Sequence, residues 1–112
     1  MIERETFLQF TTPVRDSVGR IYTAQACGAE MPDGMWYGWV EFLPADGGLP
    51  IATGRETTQP NRTDTEYWAT GLSEVYLEGA LQRAFDREAE EEEAEDAEVE
   101  EEVEVVEDLD DL

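Results

Sequence analysis

The sequence feature that most restricts the possible folds of this chain is its C-terminal segment. Residues 89–112 contain 15 acidic residues, no basic residue and no aromatic residue. Such a segment repels itself and buries too little apolar area to offset the entropy cost of ordering it. We therefore expect an acidic low-complexity tail over residues 89–112 that is disordered or partly helical. The folded domain is then confined to residues 1–88.

The charge of the chain is unevenly distributed between these two parts. Residues 1–88 contain 14 acidic residues and all 7 arginines, a net charge of −7, and the tail carries −15 of the total of −22. This excess argues against direct binding to nucleic acid or to an anionic membrane, because both need basic surface on the protein. It favours a protein partner with a basic surface.

Several kinds of chemistry are missing from the composition. The chain has no histidine and no lysine, which removes the histidine base, histidine metal ligands and Schiff-base or P-loop lysines. The single cysteine, Cys27, has no disulfide partner within the chain, which suits a reducing compartment. The first residues lack the apolar core of a signal peptide. We expect a non-enzymatic, cytoplasmic protein without metal or cofactor.

Four segments have the residue pattern of β-strands: 5–12, 20–28, 35–43 and 51–58. The strongest is MWYGWVEFL at 35–43, which is apolar on both faces and therefore predicts a central strand. Gly38 lies between two tryptophans of this segment, which predicts the close approach of a neighbouring ring or backbone.

After residue 60 the apolar period changes to that of a helix. Thr63 and Glu66 have the capping-box spacing and predict a short helical turn that ends at Gly71 in a left-handed conformation. Ser73 is the predicted cap of the next helix. The apolar stripe of that helix consists of Leu72, Tyr76, Leu77, Ala80, Leu81, Ala84 and Phe85.

These elements predict a two-layer α+β domain. We expect an antiparallel meander of about four strands, with one C-terminal helix packed on a face, followed by a disordered acidic tail. A small half-open barrel is the main alternative architecture.

The segment RETTQPNR at 55–62 is the first candidate site. Its polar residues form a predicted ligand- or partner-binding loop: Arg55, Glu56, Thr58, Gln59, Asn61 and Arg62. Two guanidinium groups suit a phosphate or carboxylate ligand. In the alternative, which we favour, the arginines pair with nearby carboxylates of Glu56, Asp64 or Glu66. Those three carboxylates could also supply oxygen ligands to magnesium or calcium, or act as an acid–base pair. Helix capping and ordinary surface charge explain them better.

Aromatic residues supply a second candidate site. A domain of this size cannot easily bury three tryptophans, so some of its aromatic rings are expected at an exposed interaction patch. The candidates are Trp36, Tyr37, Trp39 and Trp68. Cys27 falls within a predicted strand and is expected to be a small core residue.

The tail contains an apolar motif within its acidic sequence. On a helix one slanting stripe would be formed by Val99, Val103, Val106, Leu109 and Leu112. Such a mixture suits a partner with a hydrophobic groove and a basic rim. The alternative, to which we give equal weight, is that the tail only increases solubility and has no fixed partner.

The sequence thus favours a small non-enzymatic interaction or adaptor protein. Its tail would engage a basic protein. In a more specific form of this hypothesis the partner is a nucleic-acid-binding protein, and the tail carboxylates take the place of the phosphates that it normally binds. The alternative is a module, or small enzyme, that binds a phosphate or carboxylate ligand through Arg55 and Arg62. A subunit of an oligomer or larger assembly is the third reading.

Overall fold

The structure, a computed structural model, describes residues 2–110, and side chains are described as far as residue 92. In chain order the elements are β1 (Arg4–Gln9), β2 (Val14–Arg15), β3 (Ile21–Glu30), β4 (Trp36–Pro44), β5 (Ile51–Ala52), β6 (Thr57–Gln59), α1 (Arg62–Thr70) and α2 (Glu74–Asp110). The predicted fold class, an antiparallel sheet with a C-terminal helix in an α+β arrangement, is confirmed.

The sheet is four strand positions wide although it contains six strands. Its centre is the long antiparallel pair β3 and β4, which stays in register from Tyr22 opposite Pro44 to Glu30 opposite Trp36. Strands β1 and β2 both pair with β3 on one side, and β5 and β6 both pair with β4 on the other. The fourth predicted strand, 51–58, is interrupted and gives β5 and β6, and β2 is an additional short strand just after the first predicted strand, 5–12. The expected four strands thereby become six.

The interruption between β5 and β6 has a local cause. The buried Thr53 hydroxyl accepts a hydrogen bond from the backbone N–H of Val40 at 3.1 Å and donates one to the carbonyl of Gly54 at 2.7 Å. The Thr53 hydroxyl thereby takes up the Val40 N–H, and residues 53–56 leave the regular pairing. The β5–β6 interruption changes the direction in which Arg55 and Glu56 point.

The hydrophobic core lies on one face of the sheet, called here the helix face. The α2 side chains Leu77, Leu81 and their alanine neighbours pack on the buried rings of Tyr22 and Phe42. The Tyr22 ring meets the Phe42 ring edge-on, with centroids 6.4 Å apart. The predicted apolar stripe of α2 is confirmed, because all of its members belong to this core or pack against it.

Helix α1 covers the other half of the helix face above two glycines of the central strands. A Cβ atom at Gly38 would lie 2.7 Å from Cζ3 of Trp68. A Cβ atom at Gly28 would lie 2.7 Å from Cε2 of Phe7 and 2.8 Å from the carbonyl oxygen of Tyr37. The close approach predicted at Gly38 is therefore confirmed, and the approaching ring belongs to α1.

At the ends of the helices, two of the local predictions are wrong. Helix α1 begins at Arg62, and its cap is Asn61, whose side-chain oxygen accepts from the N–H of Asp64 at 2.8 Å. Thr63 is not the cap, because it lies inside the first turn of α1, one residue after the helix begins at Arg62. Gly71 has φ −92° and ψ 0°, so the predicted left-handed ending is wrong. The N–H of Gly71 donates to the backbone carbonyl of Trp68, and the helix ends in a right-handed turn. The Ser73 cap of α2 is confirmed by a 3.1 Å bond from the N–H of Tyr76.

Helix α2 continues past residue 88 to Asp110, into the segment for which the sequence predicts a disordered or partly helical tail. Its last described side chains, Glu90, Glu91 and Glu92, are exposed. The predicted tail motif lies outside the described side chains: Val99, Val103, Val106, Leu109 and Leu112. Within residues 2–110, neither helix combines the length and apolar composition that a membrane span requires.

Candidate functional site

The sheet face opposite the helices is the main candidate surface, called here the open face. No described helix or strand covers it. Alternation along β3 and β4 places there the side chains of Ile21, Thr23, Gln25, Cys27, Ala29, Tyr37, Trp39, Glu41 and Leu43. Except for the buried Cys27 and Ala29, all of them are half-buried.

An ion pair crosses the middle of the open face. The Arg4 guanidinium binds both carboxylate oxygens of Glu41, at 2.6 and 2.8 Å, and the Trp39 indole N–H donates to the same carboxylate at 2.9 Å. The Arg4 hydrogen bonds hold the pKa of Glu41 below its usual range, although partial burial acts in the opposite direction. The carboxylate of the open face is therefore neutralised, and the polar edge of Trp39 is satisfied.

Cys27 lies beneath this ion pair and is fully buried. Its sulfur contacts the Arg4 guanidinium at 3.3 Å and the Thr6 hydroxyl at 3.8 Å. Burial, reinforced by the Glu41 charge, raises the pKa of the Cys27 thiol. A buried, protonated thiol is a poor nucleophile, and the expectation of a small core residue is confirmed.

Arg55 lies at the edge of the open face. Its guanidinium carbon is 4.8 Å from the centroid of the Tyr37 ring, and Arg55 has no ion pair among the described side chains. Together with Trp39, Gly54 and Arg87 it lines a shallow depression of about 220 Å³. Arg87 donates to the carbonyl of Ala52 at 3.4 Å.

Arg62 lies on the helix face, away from Arg55. Its Nε atom is 2.8 Å from Glu5, its guanidinium is 3.9 Å from Glu66, and it stacks 5.2 Å from the Phe7 centroid. The Phe7 ring packs beside Trp36, which precedes Tyr37 in β4 and so points to the opposite face. The two guanidinium groups are thus on opposite faces of the sheet and do not form the clamp considered above. Of the ion pairs expected for the two arginines, only Arg62 with Glu66 occurs.

Glu56 anchors the loop to α2. Its carboxylate accepts from the Tyr76 hydroxyl at 2.5 Å and from Arg83 at 2.6 Å, and its side chain is only 9% exposed. Sequence reasoning missed this pairing, because it placed Arg83 on the solvated side of α2. Tyr76 and Arg83 are two helical turns apart, and this spacing was the available signal.

The other loop residues have mainly structural contacts. Gln59 donates to the Thr57 hydroxyl at 2.7 Å, and Asn61 caps α1. Thr58 is exposed beside Tyr37. The predicted binding loop is thus distributed over both faces of the sheet.

The predicted aromatic surface is divided in the same way. Trp36 and Trp68 are half-buried on the helix face, where Trp68 covers Gly38. Tyr37 and Trp39 are half-buried on the open face. The aromatic residues that remain available to a partner on the open face are therefore Tyr37 and Trp39.

The three loop carboxylates considered as metal ligands lie apart. Glu56 binds Arg83, Asp64 receives the Asn61 amide at 3.3 Å, and Glu66 lies near Arg62. Within the residues that the structure describes, no group of three or more aspartate, glutamate or cysteine side chains is placed to hold a metal ion.

The contact between Tyr76 and Glu56 predicts an alkaline loss of stability. Burial, together with the hydrogen bond to Glu56, raises the pKa of Tyr76 to about 12. The unfolded chain releases this proton near pH 10. The contribution of Tyr76 is therefore complete below pH 10 and is lost as the pH rises through about 12.

Replacing Tyr76 by phenylalanine is expected to lower the free energy of unfolding at neutral pH by about 1 kcal/mol. The variant should also lose less stability than the wild type between pH 10 and pH 12. Urea denaturation across this range measures both effects. Tyr22 and Cys27 also have raised pKa values, so the difference between the two proteins isolates Tyr76. Equal alkaline slopes would contradict the assignment.

No protein-family model matches the chain, and no curated protein or solved structure is significantly similar to it. The charges and contacts of the chain itself therefore carry the functional argument.

Proposed function

We propose that this chain is a small non-enzymatic interaction protein whose acidic tail, residues 89–112, engages a protein partner with a basic surface. The observation that carries the proposal is the internal pairing of the arginines. The folded part neutralises most of its own positive charge, and the 15 acidic residues of the tail have no basic residue within the tail.

Five of the seven arginines form ion pairs among the described side chains. These pairs are Arg4–Glu41, Arg20–Asp46, Arg62–Glu5, Arg83–Glu56 and Arg87–Glu91. Arg15 and Arg55 are the two arginines without such a pair in this part of the chain. Among the paired arginines, Arg87 binds a carboxylate of the tail itself, Glu91. Two further positive charges cannot balance the rest of the tail charge of −15, so the counter-charge must come from solvent ions or from another molecule.

The apolar residues of the tail indicate what else the partner offers. Residues such as Val103 and Leu109 recur among the carboxylates, and they suit a groove that is apolar inside and basic at its rim. A nucleic-acid-binding protein is the specific form of this partner, because its phosphate-binding surface already accepts a dense row of negative charge.

A small-ligand function is the less favoured proposal. It was based on Arg55 and Arg62 acting together, and these side chains lie on opposite faces of the sheet. The depression beside Arg55 is shallow, and its second cation, Arg87, already lies 3.3 Å from Glu91.

The tail is tested by deleting residues 95–112. Immobilised full-length and truncated proteins are compared by affinity capture from the source cells, followed by identification of the bound proteins. We expect the full-length chain to retain basic proteins that the truncated chain does not. Raising the salt from about 0.05 M to about 0.5 M should reduce this capture at least roughly tenfold.

A double variant separates charge from apolar contact. Val103→Ser with Leu109→Ser keeps every carboxylate and removes two apolar side chains of the motif. Loss of the same partners would assign the contact to a groove, whereas retention would assign it to charge. Capture of one set of proteins by the full-length and truncated chains, unchanged by salt, would refute the proposed function.

A further inference from the structure

We propose that the open face is the interface of a symmetric homodimer, in which the open face of a second copy covers it. This inference goes beyond the proposed role of the tail and does not depend on it. It concerns only β3, β4 and the side chains next to them.

The charge of the open face identifies the kind of occupant. Each chain carries a net charge of −22, so two copies repel each other except where their surfaces lack free negative charge. On the open face the carboxylate of β3 and β4 is Glu41, which Arg4 binds through both oxygens. A second acidic copy therefore meets no unpaired carboxylate on the open-face side of β3 and β4, and this is where two copies can approach with the least repulsion.

The side chains of the open face resemble the centre of a protein interface. Tyr37 and Trp39 lie towards one end of the central strands, and Ile21 and Leu43 lie towards the other. The uncharged Thr23 is paired with Leu43 at this second end, and the uncharged Gln25 lies between the two ends. Interface centres are enriched in aromatic residues and depleted of free charge, and this face has both properties.

The size of the open face predicts the strength of the dimer. A strand of nine residues, the length of β4, is about 30 Å long, and four strand positions span about 19 Å. Two such faces bury at most about 1,100 Å² in total, because the outer strands are shorter than β4, and this is close to the lower limit of specific interfaces. We therefore expect a weak, reversible dimer.

The position of the two long strands favours two-fold symmetry. Strands β3 and β4 occupy the middle of the sheet, so an axis through the open face brings each surface against its own copy. Two sheets packed in this way keep their strands within about 30° of each other. In such an interface each substitution occurs once in each copy, so a charge added to one copy lies close to the same charge on the other.

Sedimentation velocity of the full chain tests the dimer over about 1 to 100 μM protein. Thr23→Glu adds a carboxylate to the open face, opposite Leu43. Thr12→Glu is the matched control, because it makes the same exchange at an exposed position between β1 and β2. We expect the wild type and Thr12→Glu to dimerise alike and Thr23→Glu to raise the dissociation constant at least tenfold.

The salt dependence of the dimer distinguishes it from the proposed tail contact. Screening weakens the repulsion between two acidic copies, so raising the salt from about 0.05 M to about 0.5 M should strengthen the dimer. Binding of the tail to a basic partner should weaken over the same range. Either result can therefore fail without the other.

Two results would overturn the proposal. One is a wild type that stays monomeric at the highest concentration in high salt. The other is a Thr23→Glu variant that is folded and still dimerises like Thr12→Glu. If circular dichroism shows that Thr23→Glu is unfolded, the nearly isosteric Gln25→Glu takes its place, with the same expected increase in the dissociation constant.

Discussion

Replacing Gly28 by alanine is expected to lower the free energy of unfolding by about 2–3 kcal/mol. The added methyl group would lie 2.8 Å from the carbonyl oxygen of Tyr37 in the paired strand and 2.7 Å from the Phe7 ring. A backbone oxygen inside a sheet cannot move aside without displacing its strand. The substitution therefore strains the central pair β3 and β4. Urea denaturation followed by tryptophan fluorescence measures the change.

Gly54→Ala is the matched control for this prediction. Gly54 does not have a positive φ, and the nearest atom to its added methyl group is Cδ of Arg87, at 3.8 Å. The exchange should change the free energy of unfolding by less than about 0.5 kcal/mol, and it stiffens the unfolded chain. If both alanine variants lose the same stability, the close packing described at Gly28 is wrong.

Replacing Glu56 by glutamine is expected to lower the free energy of unfolding by about 2–3 kcal/mol. The exchange keeps the size of the side chain but removes the charge that accepts hydrogen bonds from Tyr76 and Arg83. The NH₂ group of glutamine is itself a hydrogen-bond donor, so it cannot accept from the Arg83 guanidinium. Because the Glu56 side chain is 9% exposed, water cannot fully replace the lost bonds. Thermal and urea denaturation at neutral pH measure the loss.

Glu91→Gln makes the same exchange in an exposed ion pair of α2. The Glu91 side chain is 61% exposed and lies 3.3 Å from Arg87. Exposed pairs of this kind contribute little, so this variant should lose less than about 0.5 kcal/mol. Similar losses in the two glutamine variants would mean that Glu56 does not anchor the β5–β6 interruption to α2.

The long regular elements were predictable because each depends on a local period. The two-residue alternation of β4 and the helical period of α2 are both written into adjacent residues, and both place the core correctly. The same patterns could not show that the fourth predicted strand breaks, because the break at Thr53 depends on a hydroxyl that meets Val40 across the sheet.

The candidate site was less predictable because it depends on contacts between distant residues. Arg55 and Arg62 are close in sequence, yet the strand interruption and the β6 pairing send them to opposite faces. Glu56 meets Arg83, 27 residues away, and Arg4 meets Glu41, 37 residues away. Charge pattern alone cannot select these partners among 29 acidic residues.

The broken outer strands have a consequence for how copies of this chain meet. An outer strand with a long run of unpaired N–H and C=O groups is a template on which further chains can add and grow into filaments. Here β1 has an irregularity between Thr6 and Leu8, and β5 and β6 are two and three residues long. Neither border of the sheet offers a long straight template, so endless side-by-side growth is disfavoured even at high protein concentration.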